Sequence, residues 1–252
     1  MSRLNLVKRL HEIGAIKFGE FKLKSGKISP YYVDLRILPS YPSVLREVGR
    51  VMGEMIYSLP EKPTRLCGIP AAGLAIATMV GVETGVPTVY VRKEPMVYRD
   101  LLMKLRTFIK ERKYQPDEIP GVEKAIEIIE ELSGLKTHGI ARYVDGELQN
   151  GDRIGIVDDL ITTAESKLEA RDLIKLEAER RNLNVRIIGV YVLIDREQGG
   201  REALQKEGLK LYSVATIRDV AKWLKDLGNI SPQMYSTIVN YTTSERKAAC
   251  LE

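Results

Sequence analysis

The stretch Ile154-Gly155-Ile156-Val157-Asp158-Asp159-Leu160-Ile161-Thr162-Thr163-Ala164-Glu165-Ser166 decides how this chain reads. An apolar run carrying Ile and Val ends in two adjacent carboxylates. A Thr-rich turn follows, then a helix-like segment from Lys167. A helix start offers free amides and the positive end of its dipole, which suits a phosphate. Two acids just before it suit sugar hydroxyls or a phosphate-bound Mg2+. A ligand with both a phosphate and a ribose would use every part. The plain alternative is an ordinary parallel strand with acidic residues ahead of its helix.

Outward from this stretch, strands alternate with helices. Strands are predicted at 64–69, 87–92, 153–158, 185–194 and 209–214. Helices are predicted at 73–84, 166–182, 200–207 and 217–227. This alternation argues for an α/β fold with a mostly parallel, doubly wound sheet and ligands at the carboxyl ends of the strands. Ahead of it come an amphipathic helix at 3–13, with His11 as a half-buried structural residue, a hairpin at 20–36 interrupted by Ser25-Gly26, and a helix at 43–58. A helix at about 232–241 closes the fold, and residues 245–252 form a tail ending in Leu251-Glu252, a pair compatible with a cloning remnant.

Residues 96–135 break the rhythm. Val97, Tyr98, Leu101, Leu102, Leu105, Phe108 and Ile109 share one helical face, and Val122, Ala125, Ile126, Ile129 and Leu132 another, with Pro116 and Pro120 between. The first half carries a net charge of +4 and the second −5. Opposite charge predicts two helices pairing antiparallel. This hairpin reads as an insertion within one domain spanning 1–244.

Composition narrows the partners. With 44% hydrophobic residues, 252 residues can bury a real core. No apolar run reaches the ~18–20 residues of a membrane span. The polar N-terminus is unlike a secretory signal, and Cys67 and Cys250 make no disulfide framework, so a cytoplasmic protein is expected. The net charge of +5 admits nucleic acid, but Lys and Arg are scattered and only 6% of residues are aromatic. A polyanionic small substrate explains the excess as well. Two histidines, His11 and His138, leave no His-based metal cluster.

Five further segments carry chemistry. Cys67-Gly68-Ile69-Pro70-Ala71-Ala72-Gly73 joins a strand to a helix with residues small enough for an anion to approach the backbone. Arg92-Lys93, at another strand end, sets a bidentate fork beside a point charge. Lys136-Thr137-His138-Gly139 follows the inserted residues. Lys24-Ser25-Gly26 leads through Ser29-Pro30 to Tyr31 and Tyr32, whose flat faces suit a planar base. Asp195-Arg196-Glu197-Gln198-Gly199-Gly200 ends a strand with a planar Arg fork suited to a carboxylate. Each has a plain reading as a turn, a solvated strand end or a loop histidine.

Together and in this order, these segments resemble the orotate phosphoribosyltransferases, within the type I phosphoribosyltransferases, over nearly the whole chain outside the insertion. The resemblance implies transfer of a phosphoribosyl group from 5-phosphoribosyl 1-diphosphate (PRPP) to orotate, through an oxocarbenium-like ribose, with Mg2+ as cofactor. It implies that Asp158 and Asp159 hold the ribose hydroxyls, that Leu160, Ile161, Thr162, Thr163, Ala164, Glu165 and Ser166 form the 5′-phosphate loop, and that Pro70, Ala71, Ala72 and Gly73 line the diphosphate. By the same resemblance, Lys24 is expected to contact PRPP. Arg92, Lys93, Lys136 and His138 lie on a lid split by the insertion, with Lys136, His138 and Asp159 catalytic. Orotate is met by Tyr31, Tyr32, Thr162 and Arg196. Which residues hold the Mg2+ is left open. A homodimer sharing its lid between subunits is implied, with neither nucleic acid nor membrane as partner.

Three residues depart from that pattern. Ala164 stands where glycine is usual and is costly if the backbone there needs positive φ. Glu165 places a carboxylate beside the phosphate, so it must face solvent or a basic partner, with Lys167 and Arg201 as candidates. Ala72 replaces a lysine of some relatives. Two rivals stay open: a phosphoribosyltransferase for another base, against which Arg196 and the Lys24-Ser25-Gly26 hairpin argue, and a PRPP-binding regulator without catalysis, which Ala164, Glu165 and the split lid keep alive.

Overall fold

The computed structural model describes residues 3–22, 26–92, 121, 124–125, 128 and 142–249. The chain divides into two compact units, Met1–Val91 with Val144–Glu252, and Arg92–Tyr143. The first begins with helix α1 (Arg3–Glu12) and an antiparallel hairpin, β1 (Ile16–Lys22) and β2 (Ile28–Val33). A 3-10 turn (Leu35–Ser40) leads into α2 (Pro42–Tyr57). Next come β3 (Arg65–Gly68), α3 (Ala72–Thr84), β4 (Thr88–Val91) and, after the second unit, β5 (Val144–Asp145). The remainder is β6 (Arg153–Ile161), α4 (Glu165–Arg180), β7 (Arg186–Asp195), α5 (Gly200–Lys206), β8 (Leu211–Thr216), α6 (Ile217–Asp226) and α7 (Pro232–Ala249).

The main sheet has the order β5-β4-β3-β6-β7-β8. Every pair in it is parallel except the β4–β5 edge. The α/β reading from the alternating pattern is therefore borne out. The β6 residues Ile154, Ile156 and Val157 are all fully buried, as a central parallel strand covered on both faces requires. β6 runs three residues past its expected end because Leu160 and Ile161 continue the ladder with Ile194 and Asp195 of β7. The hairpin starts four residues earlier than predicted, with Ile16 paired to Val33.

One core joins Leu6 and Leu10 of α1, Val48 and Met52 of α2, Ile76 of α3, Val157 and Leu193 of the sheet, and Val220 and Leu224 of α6. Helix α6 starts with a capping box: Thr216 accepts from the Asp219 amide while Asp219 accepts from the Thr216 amide. Arg9 meets the buried Glu47 at 2.6 Å and ties α1 to α2. Helix α7 continues to Ala249, through the expected start of the tail at 245. Its last turns are docked by Lys27–Glu245 at 3.0 Å and Arg246–Glu202 at 2.6 Å.

Within the second unit, the Arg92 amide donates to the Tyr143 carbonyl at 3.0 Å, and the Ala125 amide donates to the Gly121 carbonyl at 2.8 Å. Lys124, Ala125 and Ile128 are helical. The other residues of the expected hairpin, together with Lys24, Lys93, Lys136 and His138, lie outside the described residues.

Candidate active site

The C-terminal ends of β3, β6 and β7 bring three of the sequence segments together. Asp158 and Asp159 sit near the end of β6, and α4 starts at Glu165. Among the described residues, the amides of Thr163, Ala164, Glu165 and Ser166 donate to no protein acceptor. Such unpaired donors at a helix start are what a phosphate accepts from.

The segment after β3 closes against this strand end. The Ile69 amide donates to the Val157 carbonyl at 3.0 Å. Ala71 is exposed, and Ala72 and Gly73 are buried in the first turn of α3. A Cβ on Gly73 would stand 2.7 Å from Asp158 Oδ1 and 2.8 Å from Asp158 Cα. Glycine is thus required by close approach, and the expected diphosphate loop touches the expected ribose acid. From the other side, the Arg196 amide donates to the Ile161 carbonyl at 3.0 Å. A Cβ on Gly200 would stand 2.6 Å from the Thr162 carbonyl oxygen, so α5 also packs against the loop.

The Arg196 guanidinium carbon lies 5.2 Å from the centroid of the Tyr31 ring. Cation and ring attract in this arrangement. Tyr241 of α7 meets Tyr31 edge-on at 5.8 Å. Among the described residues, the Nε of Arg196 and the hydroxyls of Tyr31 and Tyr241 are buried and meet no hydrogen-bond partner at full hydrogen-bond geometry. Burial raises the Tyr31 phenol above its ordinary value, against the opposing Arg196 charge. Of the two hairpin tyrosines, Tyr31 is fully buried under Arg196, whereas Tyr32 is 38% exposed and tilted against Phe21. Only Tyr32 keeps a solvent-facing ring. Arg36, bidentate to Asp34, also reaches the Tyr32 hydroxyl at 3.5 Å.

The departures in the loop resolve locally. Ala164 has φ −87° and ψ −6°, a right-handed conformation open to alanine. Glu165 is exposed. Its two candidate partners are committed elsewhere: Arg201 to Asp195 at 2.9 Å, and Lys167 to Asp158 at 2.6 Å.

The sequence offered Lys167 only as a candidate partner of Glu165, whereas the structure pairs it with Asp158. It is 4% exposed, and its Nζ also donates to the Leu160 carbonyl at 2.7 Å and to the Ser166 hydroxyl at 3.1 Å. The available signal was its place on the apolar stripe of α4, three and seven residues before the buried Ala170 and Ile174. Asp158 is 7% exposed, with Oδ1 accepting from the Asp159 amide at 2.9 Å. Asp159 Oδ1 accepts from the Leu160 amide at 2.8 Å. Its carboxyl is pushed up to about 7, first by burial and then by the Asp158 charge beside it. Tyr241 and Arg36 were missed, since nothing local marks either as a neighbour of these segments.

No family model matches the chain. It is 28% identical over 215 residues to an orotate phosphoribosyltransferase of Pyrococcus abyssi, covering 85% of this chain and 93% of that one. Among solved structures it is similar to an orotate phosphoribosyltransferase from Aeropyrum pernix, with a TM-score of 0.59, 26% identity, and 88% and 98% coverage. It is also similar to a UMP synthase from Leishmania donovani, with a TM-score of 0.69 and 26% identity. There the match covers 97% of this chain and 43% of the longer protein. These relatives bear out the resemblance read from the motifs.

Proposed function

We infer that this chain is an orotate phosphoribosyltransferase, converting orotate and PRPP into orotidine 5′-monophosphate and diphosphate. The observation that carries this reading is the meeting of the Asp158–Ser166 loop with Gly73 on one side and the Arg196–Gly200 segment on the other. The loop's free amides bind the 5′-phosphate. Asp159 accepts from the ribose hydroxyls and favours the positive charge that develops on the ribose as its bond to diphosphate breaks. Arg196 gives orotate's carboxylate a charged fork, held in place by the Tyr31 ring, and Tyr32 offers the base a flat face. Positioning is the main task, because the new C–N bond forms only when base and ribose are aligned.

The lid belongs to the same reading on motif order alone. Arg92, Lys93, Lys136 and His138 bring charge to the departing diphosphate, Lys24 adds to it, and the lid crosses to the partner in a homodimer. Mg2+ would neutralise the diphosphate when bound. The adjacent carboxylates Asp158 and Asp159 and the oxygens of the diphosphate are the hard donors such an ion would take. A cytoplasmic place goes with this chemistry, and no helix among the described residues is long and apolar enough to cross a membrane.

The test is a direct assay of orotate consumption with PRPP and Mg2+, run beside uracil, hypoxanthine and adenine. Consumption of orotate alone is expected. A folded protein that consumes another base, or none, overturns the reading. The right-handed backbone of Ala164 and the exposure of Glu165 weigh against a non-catalytic regulator.

A further inference from the structure

Lys167 and Asp158 form an ion pair in which both side chains are buried. Such a pair is no gain in stability by itself, since apolar residues of the same volume do as well or better. What distinguishes this one is where its hydrogen bonds go. An ammonium has three protons, and those of Lys167 meet Asp158 Oδ2, the Leu160 carbonyl and the Ser166 hydroxyl. All three acceptors belong to the Asp158–Ser166 segment, the first two at the end of β6 and the third in the first turn of α4. Asp158 spends its other oxygen on the Asp159 amide. Both of its oxygens are therefore engaged inside the loop, whereas Asp159 accepts only the Leu160 amide among the described residues.

We propose that Lys167 is a positioning residue of the PRPP loop: by tying Asp158 and the Leu160 carbonyl together from within, it leaves Asp159 as the carboxylate that meets the ribose of PRPP. The two adjacent acids thus divide their work, one an internal anchor and the other a ligand contact. This rests on the PRPP-dependent reading above.

The test is PRPP binding by calorimetry, without orotate, alongside steady-state kinetics. Lys167→Met should weaken PRPP binding at least about tenfold while the KM for orotate stays within about twofold. A folded Lys167→Met protein that binds PRPP within about twofold of the parent overturns the proposal. Should the methionine variant fail to fold, Lys167→Gln, which keeps donors without charge, carries the same two outcomes. Asp158→Asn combined with Lys167→Met should bind PRPP no worse than the weaker single variant, because both remove one anchor. Fully additive losses also overturn the proposal. A parent protein that binds PRPP but does not consume orotate sinks the assigned reaction and leaves this inference standing. A parent that does not bind PRPP sinks both.

Discussion

The backbone amide of Arg196 donates to the carbonyl of Ile161 at 3.0 Å. That bond ties the end of β7 to the end of β6, so the residue assigned to the base and the loop assigned to the phosphoribosyl group share one rigid support. Replacing the Arg196 side chain leaves that backbone bond intact. Arg196→Ala should therefore raise the KM for orotate by about ten- to a hundredfold, the worth of a charge-assisted hydrogen bond, while the KM for PRPP stays near the parent value. Steady-state kinetics with each substrate varied in turn check this, and equal losses for both would remove Arg196 from base recognition.

Gly73→Ala and Gly200→Ala test the close approach of the neighbouring segments. Each new Cβ would sit under 3 Å from backbone atoms of the site strand or loop, which cannot swing aside as a side chain does. Each should lower stability by about 1–3 kcal/mol and weaken PRPP binding. Thermal melts and calorimetry read the two effects separately. A tight-binding Gly73→Ala protein would show that α3 can move away from Asp158 freely.

Two substitutions to glycine in the phosphate loop should gain nothing. Ala164 already lies in the right-handed region, so Ala164→Gly should cost about 0.5–1 kcal/mol through added freedom of the unfolded chain. Glu165 is exposed, so Glu165→Gly should leave PRPP affinity within about threefold, because water screens its charge. An affinity improved more than about tenfold would mean the carboxylate points at the phosphate.

Asp159 predicts a pH dependence of the free protein. Its carboxyl is raised from the ordinary 3.8 to about 7 by burial and by Asp158, with Lys167 opposing. Between these values the folded state keeps a proton that the unfolded chain has lost. The contribution to stability is therefore complete below the lower value and disappears as pH rises through the upper one. Asp159→Asn removes this titration. The parent should lose more Tm than the variant between pH 5 and pH 8, and equal losses would refute the raised pKa.

The lid reading is tested with Lys136→Ala, which should cut turnover strongly without changing the melting temperature. Turnover within about twofold of the parent would exclude Lys136 from the mechanism. If the lid crosses subunits, mixed dimers of Lys136→Ala and Asp159→Asn chains should recover activity, since one of the two sites is then intact. Inactivity in proven mixed dimers would refute sharing.

Local pattern was enough for much of this protein. The apolar run into Asp158 and Asp159, the glycine-ended turn at Gly73 and the segment from Asp195 to Gly200 each carry their meaning in adjacent residues. The alternation of strands and helices was legible because a parallel sheet needs apolar runs and covering helices in turn. What the sequence could not reveal depends on residues far apart in the chain. The two-residue strand β5 exists only because Tyr90 and Val91 lie beside it to pair with Asp145 and Val144. Tyr31 and Tyr32 are chemically equal neighbours, and only the packing of Arg196 and Tyr241 buries one and leaves the other open. Lys167 reads as one more helix-surface lysine until β6 turns Asp158 and the Leu160 carbonyl toward it. Burial then makes that contact strong, because an ammonium removed from water must find all its partners within the protein.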